Sequence, residues 1–265
     1  MGLGRAAWLG HPEIAIGNVV GSNICNVGLI LGLTALFYTI KCQRRVVVEQ
    51  GATLLAISFS VWIYAWLMGG LGRVIGSVFL IGFALYIYMV FRYADTTDDD
   101  QEGAEDLEVI KSKSRSVSWL IAKMLILMVL LLRSSDLLVT STIELARMMG
   151  VSEGVLALSM IALGTSLPEL SVSIAAARKN QGDICIGNIF GSNVSNLLLV
   201  LGIAALIEPF PISGLTLSLD FPLMLTLSAL MLVFLYGAKG ISANRGIVLL
   251  CLYGLMILRC ILLPK

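Results

Sequence analysis

The stretch at residues 162–202, ALGTSLPELSVSIAAARKNQGDICIGNIFGSNVSNLLLVLG, decides the fold of this chain. Two apolar runs flank a short polar bend at residues 178–183, and each run carries polar side chains at a depth where a membrane helix is normally apolar. In the first run the helix breaker Pro168 stands beside these polar residues, which are Thr165, Ser166 and Glu169. The second run contains Asn188, Ser192, Asn193, Ser195 and Asn196.

The chemistry of this stretch indicates a site for a hard cation. Carboxylate, hydroxyl, amide and freed carbonyl oxygens are the ligands that Ca2+ and Na+ prefer. Glu169 is the only carboxylate between Gly154 and Lys179, and an ionisable group in hydrocarbon is costly enough to indicate a function. We therefore expect Glu169 to coordinate a cation directly. The alternative is a buried glutamate that serves packing specificity alone.

The second run has an earlier copy in the chain. Residues 14–36 (IAIGNVVGSNICNVGLILGLTAL) align without gaps with residues 184–206 (ICIGNIFGSNVSNLLLVLGIAAL), at an offset of 170, with 13 of 23 positions identical. Apolar composition alone would match Leu with Val, but it would not reproduce the pattern GN-x-x-GSN-x-x-N. The sequence therefore contains an internal repeat, as in transporters built from two related halves.

The composition indicates a membrane protein. The chain of 265 residues is 58% hydrophobic and 13% charged, whereas soluble chains carry about 25% charged residues. Its net charge of +1 gives no electrostatic case for binding nucleic acid. The five cysteines are scattered without a C-x-x-C pair, so neither a disulfide framework nor a zinc site is predicted.

The apolar runs predict an all-α, polytopic membrane protein with about eight transmembrane helices. We place them at residues 14–40, 46–68, 71–92, 118–147, 152–178, 184–207, 215–237 and 244–262. The first and the sixth contain the repeat copies. Because five crossings separate them, the two copies run in opposite directions, which makes the repeat an inverted one.

Basic residues predict the orientation of the helices. Eleven Lys and Arg residues fall on one alternating set of loops and five on the opposite set, so the first set is assigned to the cytoplasm. We divide the chain into a first repeat half at 1–92, a cytoplasmic acidic linker at 93–117 and a second repeat half at 118–265. The linker is expected to be solvated, with weak Ca2+ sensing as the alternative. The predicted location is an integral, multi-pass position in the cell (inner) membrane.

The motifs ALGTSLPEL and GN-x-x-GSN-x-x-N resemble the second signature repeat of the cation/calcium antiporter superfamily, whose best-known members are the sodium/calcium exchangers. The resemblance covers nearly the whole chain and implies the inverted-repeat exchanger fold. It also implies a set of cation ligands. These are Glu169, the Ser166 hydroxyl, the Ala162 and Thr165 carbonyls, Ser192 and Ser22 as the paired serines of the Na+ sites, and Asn196 and Asn26 one helical turn further on.

Two departures from the family pattern affect these expectations. In the family each repeat begins with its own G-T-S-x-P-E helix, and the first copy falls before residue 1 here, so we expect the first two helices of the fold to be missing. Some exchangers carry Asp at the position of Asn196, whereas this chain has Asn in both copies. The site then has fewer negative charges, which leaves the ion stoichiometry and the involvement of protons open.

Some of the polar residues also have purely structural interpretations. Thr165 and Ser166 are able to bond back to carbonyls one turn earlier in their own helix. The four other repeat asparagines, Asn18, Asn188, Asn23 and Asn193, fit interhelical packing next to small glycines equally well.

The predicted function is secondary active antiport of Ca2+ against Na+ by alternating access, in contact with the lipid bilayer. The alternatives are exchange of Ca2+ or another divalent ion against H+, and a fragment of an exchanger that does not transport. The chain shows no nucleophile–base pair or phosphate loop, so we expect neither an enzyme nor a cofactor. Its oligomeric state stays open.

Overall fold

The computed structural model describes residues 12–95, 162–237 and 240–262, together with six single helical positions between 126 and 144. The predicted fourth helix is therefore represented only by those six positions. Most of the predicted linker, from residue 96 onward, and residues 152–161 of the predicted fifth helix lie outside the described residues.

The first repeat copy forms one long helical run. It consists of α1 (Pro12–Cys25), a π-helical segment π1 (Asn26–Leu31) and α2 (Gly32–Phe37). Three further elements follow in the first half, namely α3 (Arg44–Met68), the short strand β1 (Gly70–Leu71) and α4 (Arg73–Asp95). The second and third predicted helices are thus confirmed within a few residues of their expected bounds.

The second half repeats this order after a broken helix. The broken helix consists of α5 (Ala162–Thr165) and α6 (Leu167–Arg178). The second copy is α7 (Gly182–Ser195), π2 (Asn196–Val200) and α8 (Leu201–Ile207). The remaining elements are β2 (Phe210–Pro211), π3 (Thr216–Asp220), α9 (Phe221–Tyr236) and α10 (Ala243–Leu262).

Six helical runs in the described part of the chain are long and apolar enough to cross a membrane. They are Ala15–Phe37, Arg44–Met68, Arg73–Val90, Gly182–Ile207, Thr216–Tyr236 and Ala243–Cys260. Residues inside the protein make up 83% of the first span but only 11% of the third. The repeat copies therefore occupy the centre of the molecule, and α4 presents most of its apolar side chains outward, as a lipid-facing helix does. The predicted multi-pass membrane fold is confirmed.

Close helix crossings show that a two-fold relation links the halves. A Cβ atom added to Gly76 would lie 2.8 Å from the carbonyl oxygen of Gly202, and one added to Gly246 would lie 2.7 Å from that of Gly32. A shift of 170 residues turns Gly32 into Gly202 and Gly76 into Gly246. The contact of α4 with α8 is therefore the counterpart of the contact of α10 with α2.

The chain segments at the helix ends obey the same relation. Leu71 of β1 pairs antiparallel with Phe210 of β2, and Ile40 bridges to Ile241 in the same antiparallel manner. Adding 170 to Ile40 and Leu71 gives Phe210 and Ile241, and all four residues are buried. The first helix ends at Phe37 rather than at residue 40 because this pairing draws the following residues into an extended conformation.

Candidate functional site

The break between α5 and α6 is built by the sequence around Pro168. Proline has no N–H to donate and is favoured in the first turn of a helix, so Leu167 and Pro168 begin a new helix instead of continuing the old one. Ser166 fills the turn between the two pieces, with φ −96° and ψ 3°. The predicted break is confirmed, and it places Thr165 at the end of α5 and Glu169 in the first turn of α6.

Thr165 connects the broken helix to the first repeat copy. Its Oγ1 lies 3.1 Å from Ser22 Oγ and 3.2 Å from Asn18 Oδ1. The same hydroxyl lies 3.2 Å from the carbonyl oxygen of Ala162, which also accepts the Ser166 N–H at 3.2 Å. Through its one hydroxyl oxygen, Thr165 therefore contacts both a carbonyl of its own helix and side chains of the first repeat copy. Because a hydroxyl group has a single proton, Thr165 donates either to Asn18 Oδ1 or to the Ala162 carbonyl, and Ser22 is able to donate to Thr165.

Glu169 connects the broken helix to the second copy. Ser192 Oγ donates to Glu169 Oε1 over 3.4 Å, and Asn188 Nδ2 donates to the Glu169 backbone carbonyl over 3.1 Å. Asn188 Nδ2 also donates to Ser173 Oγ at 3.1 Å, which fixes α6 against α7. The second carboxylate oxygen, Glu169 Oε2, is buried and has no hydrogen-bond partner among the described residues. An unpartnered carboxylate oxygen is costly in a buried position, and a bound cation would remove that cost.

The four asparagines of the two GSN-x-x-N motifs cross-link the repeats. Asn26 Nδ2 donates to Asn193 Oδ1 at 2.9 Å, and Asn196 Nδ2 donates to Asn23 Oδ1 at 2.9 Å. Asn23 in the first copy pairs with residue 196 of the second, and Asn26, further along the first copy, pairs with the earlier residue 193. The two helices therefore cross in antiparallel directions. This agrees with the predicted inverted repeat.

Both copies change from α-helical to π-helical winding at the same asparagine of the motif. The π-helical segments begin at Asn26 and Asn196, which are equivalent positions of the repeat. Short π segments inside α-helices release backbone hydrogen bonds and occur frequently at functional sites. Sequence reasoning missed them, because no residue in either segment signals the change of winding.

The predicted site residues come together in one region between the broken helix and the two copies. Thr165 contacts Ser22, Glu169 contacts Ser192, and Asn26 and Asn196 are joined to the facing motif. Ser166 is buried at the break between α5 and α6. Sequence reasoning left Asn18, Asn188, Asn23 and Asn193 undecided between packing and function, and the structure puts all four in contact with this region.

The charge of this region is low. Among the described residues, no group of three or more His, Cys, Asp or Glu side chains is placed to hold a metal ion. Glu169 supplies the carboxylate here, and the neighbouring oxygens belong to hydroxyl, amide and backbone carbonyl groups. Such a set of oxygens suits a hard cation that is bound weakly enough to be released.

Comparison with known proteins gives a consistent result. The family model described as sodium/calcium exchanger protein matches residues 4–92 and 119–262. The putative antiporter CaxA of Alkalimonas amylolytica is 34% identical, over 91% of this chain and 75% of that protein. The sodium/calcium exchanger MaX1 of Methanosarcina acetivorans is 27% identical, over 91% of this chain and 78% of its own length.

Solved structures show the same similarity in three dimensions. The sodium-calcium exchanger NCX_Mj superposes with a TM-score of 0.72 and 27% sequence identity, covering 97% of this chain and 80% of that one.

Proposed function

The chain belongs to the sodium/calcium exchanger protein family, and from that premise we propose that it exchanges Ca2+ for Na+ across a membrane by alternating access. The observation that carries the proposal is the buried Oε2 of Glu169, which has no hydrogen-bond partner in the described part of the chain and lies at a helix break beside two inverted copies. Transporters of this architecture bind their ions near the midplane of the membrane, where broken helices of the two halves meet.

The spacing of the oxygens supports a cation-binding role. Two ligands that bind Ca2+ at about 2.4 Å and at right angles to each other are about 3.4 Å apart. Ser192 Oγ and Glu169 Oε1 are separated by 3.4 Å, and Ser22 Oγ and Thr165 Oγ1 by 3.1 Å. We assign Glu169 as the charged ligand, with Ser192, Ser22 and Thr165 as its hydroxyl neighbours.

Further ligands come from the backbone and the amides. Ser166 and the carbonyls of Ala162 and Thr165 lie at the break itself, while Asn26 and Asn196 approach from the two copies. When Ca2+ binds there, the hydroxyl groups exchange their hydrogen bonds to each other for contacts with the ion. Na+ needs fewer ligands and less charge than Ca2+, so the same oxygens serve both ions in turn.

The two copies supply the moving parts for alternating access. Each copy packs through a glycine crossing against a helix of the other half, α8 against α4 and α2 against α10, with closely spaced backbones. We propose that one helix bundle rocks against the other about the fixed site, opening it to each side of the membrane in turn.

A second candidate function is exchange of Ca2+ against H+. It is favoured by the low charge of the site, in which both copies carry Asn at positions 26 and 196. Glu169 would then be the titrating group, releasing its proton as the divalent ion binds.

Purified protein in liposomes distinguishes these functions. Vesicles loaded with Na+ and diluted into Na+-free buffer containing radioactive Ca2+ are expected to accumulate Ca2+, and collapse of the Na+ gradient is expected to stop uptake. Uptake driven equally well by a pH gradient without Na+ would establish the proton alternative. Ca2+ binding without flux under either gradient would identify a protein that binds the ion but does not transport it.

A further inference from the structure

The crossed asparagine pairs contain an asymmetry that determines which amide atoms face the site. Asn23 Nδ2 donates to the backbone carbonyl of Asn193 at 3.3 Å and lies 3.6 Å from Met224 Sδ. A backbone carbonyl only accepts hydrogen bonds, so the atom of Asn23 that faces it must be the NH2 group. The amide of Asn23 is therefore fixed in one orientation.

Fixing Asn23 also fixes its partner in the other copy. With its NH2 group engaged, Asn23 presents Oδ1 to Asn196, which must answer with its own NH2 group, as the 2.9 Å contact shows. The amide oxygen of Asn196 then points away from the contact. The other pair also leaves an amide oxygen unused. Asn26 gives its NH2 group to Asn193, and Asn26 Oδ1 is buried with no partner in the part of the chain that the structure describes.

We propose that Asn23 and Asn193 are positioning residues, each of which turns the amide of the opposite copy so that its oxygen is presented to the cation. Asn193 acts on Asn26 and Asn23 acts on Asn196. The inference rests on the proposed cation site and adds residues that do not touch the ion themselves. Each copy thus orients a ligand of the other copy instead of a ligand of its own.

The burial of these groups argues against simple interhelical packing. Asn23 and Asn193 are 1% and 0% exposed, and Asn193 Nδ2 has no hydrogen-bond partner within residues 12–95, 162–237 and 240–262. An amide retained only for packing would satisfy its donor, since a buried unpaired donor is destabilising. The amide oxygen of Asn193 accepts a hydrogen bond from Asn26, while its NH2 group has no partner among the described residues. This is expected if the role of Asn193 is to hold the NH2 group of Asn26.

Double-mutant cycles on ion binding test this proposal. Ca2+ affinity is measured from the Ca2+-dependent rise in the thermal unfolding temperature of the purified full chain, with Na+ titrated in parallel. Asn193→Ala is expected to weaken Ca2+ binding by about tenfold, as loss of a residue that orients a metal ligand does. Added to Asn26→Ala, it is expected to have no further effect, whereas its effect should add to that of Asn196→Ala.

The reciprocal cycle uses the other crossed pair. The effect of Asn23→Ala should disappear in an Asn196→Ala background and persist in an Asn26→Ala background. A packing role would lower the unfolding temperature without ions and leave the Ca2+ affinity unchanged. Unchanged affinity in Asn193→Ala, or coupling to Asn196 of the same helix in place of Asn26, would overturn the proposal.

A matched pair of conservative variants covers the case in which the alanine variants fail to fold. Asn193→Asp and Asn23→Asp add the same charge at equivalent positions, but only the second replaces a donor that is in use. Asn193→Asp is expected to bind Ca2+ at least as well as the wild-type chain, and Asn23→Asp about tenfold more weakly than Asn193→Asp. Equal affinities in the two variants would refute the proposal.

The two proposals fail in different ways. A wild-type chain that shows no Ca2+ binding would remove the cation site and this inference with it. A wild-type chain that binds and exchanges Ca2+ beside an Asn193→Ala variant that does the same would remove this inference alone.

Discussion

The two halves of the molecule share a backbone and differ in their charges. Both copies widen at an asparagine, both cross a neighbouring helix at a glycine pair, and both end in a buried antiparallel bridge. In the second half, however, Arg259 of α10 forms an ion pair of 2.5 Å with Asp220, whose side chain is 0% exposed. The equivalent positions of the first half are Gln50 and Met89.

At the candidate site, the two equivalent serines of the repeat copies contact different groups. Ser192 of the second copy donates to the Glu169 carboxylate, whereas the equivalent Ser22 contacts the hydroxyl of Thr165. Geometry in the described residues is thus two-fold, whereas the buried ion pair of Arg259 with Asp220 has no charged counterpart at Gln50 and Met89. Packing can be symmetric because glycine and apolar contacts work equally well in both halves. A charge buried in a membrane needs its own partner, and that partner has to be built at each position separately.

The largest effect is expected from removing the carboxylate of the second half. Glu169→Gln keeps the shape of the side chain and removes its charge. Na+-driven Ca2+ uptake into vesicles should therefore fall ~100-fold or more, because the loss of a residue that only orients a metal ligand already lowers affinity or activity by up to about 100-fold. Circular dichroism and size-exclusion chromatography serve as controls for folding and insertion. Uptake at the wild-type rate would show that Glu169 is not a ligand.

The ion pair of the second half is the next test. Asp220→Gln leaves Arg259 without its carboxylate and should lower the free energy of unfolding by about 3–5 kcal/mol. The double variant Asp220→Gln/Arg259→Met installs the residues of the first half and should recover most of that loss. Unfolding in detergent by urea or heat measures both. A double variant no more stable than the single one would mean that the pair does more than satisfy its own charges.

Alanine substitutions at the two equivalent glycine crossings should lower the stability of the protein by equal amounts. Alanine at Gly76 or at Gly246 forces a methyl group against a backbone carbonyl, and each substitution should cost about 1–3 kcal/mol of stability. The crossings involve different helices, so the two effects should add in the double variant. Gly187→Ala provides a control, because a Cβ at that position meets no atom of the described residues within 4 Å. A large difference between Gly76→Ala and Gly246→Ala would break the symmetry that the backbone suggests.

The paired serines give the smallest expected difference. Ser192→Ala removes a hydrogen bond to a charged group, worth about 1.5–3 kcal/mol, whereas Ser22→Ala removes a neutral one, worth about 0.5–1.5 kcal/mol. Na+-dependent Ca2+ efflux should therefore be weakened more by the first substitution than by the second. Because hydroxyls suit the monovalent ion, Ser192→Ala should also impair the Na+ dependence more than Ca2+ binding. Equal effects on both ions from both variants would contradict this assignment.

Much of the fold follows from the sequence, because long apolar runs are bounded by clear signals. The helix predicted at 46–68 begins at Arg44 and ends at Met68, where Gly69 adopts a positive φ of 70°. The helix predicted at 14–40 ends early, since Ile40 joins a bridge to a residue 201 positions later. An apolar residue in a short strand looks the same in sequence as one in a helix, so local reasoning had no means of separating them.

The sequence singles out the residues of the candidate site but does not show how they are connected. The motifs indicate Glu169, Ser192 and the asparagines as functional candidates, because burying polar groups in an apolar helix costs free energy. Their pairing depends on how two distant helices cross. Asn26 with Asn193 and Asn196 with Asn23 are contacts that spacing within one helix cannot give, and the partner of Asp220 lies 39 residues away on another helix.

The position of a bound ion tests the central claim most directly. The purified chain would be crystallised and soaked with Ca2+ or with Sr2+, whose anomalous scattering locates it without assumptions about the protein. The account predicts a peak within about 2.6 Å of a Glu169 carboxylate oxygen, between the break at Ser166 and the crossed asparagines. A peak that lies away from Glu169, with this region empty, would contradict it.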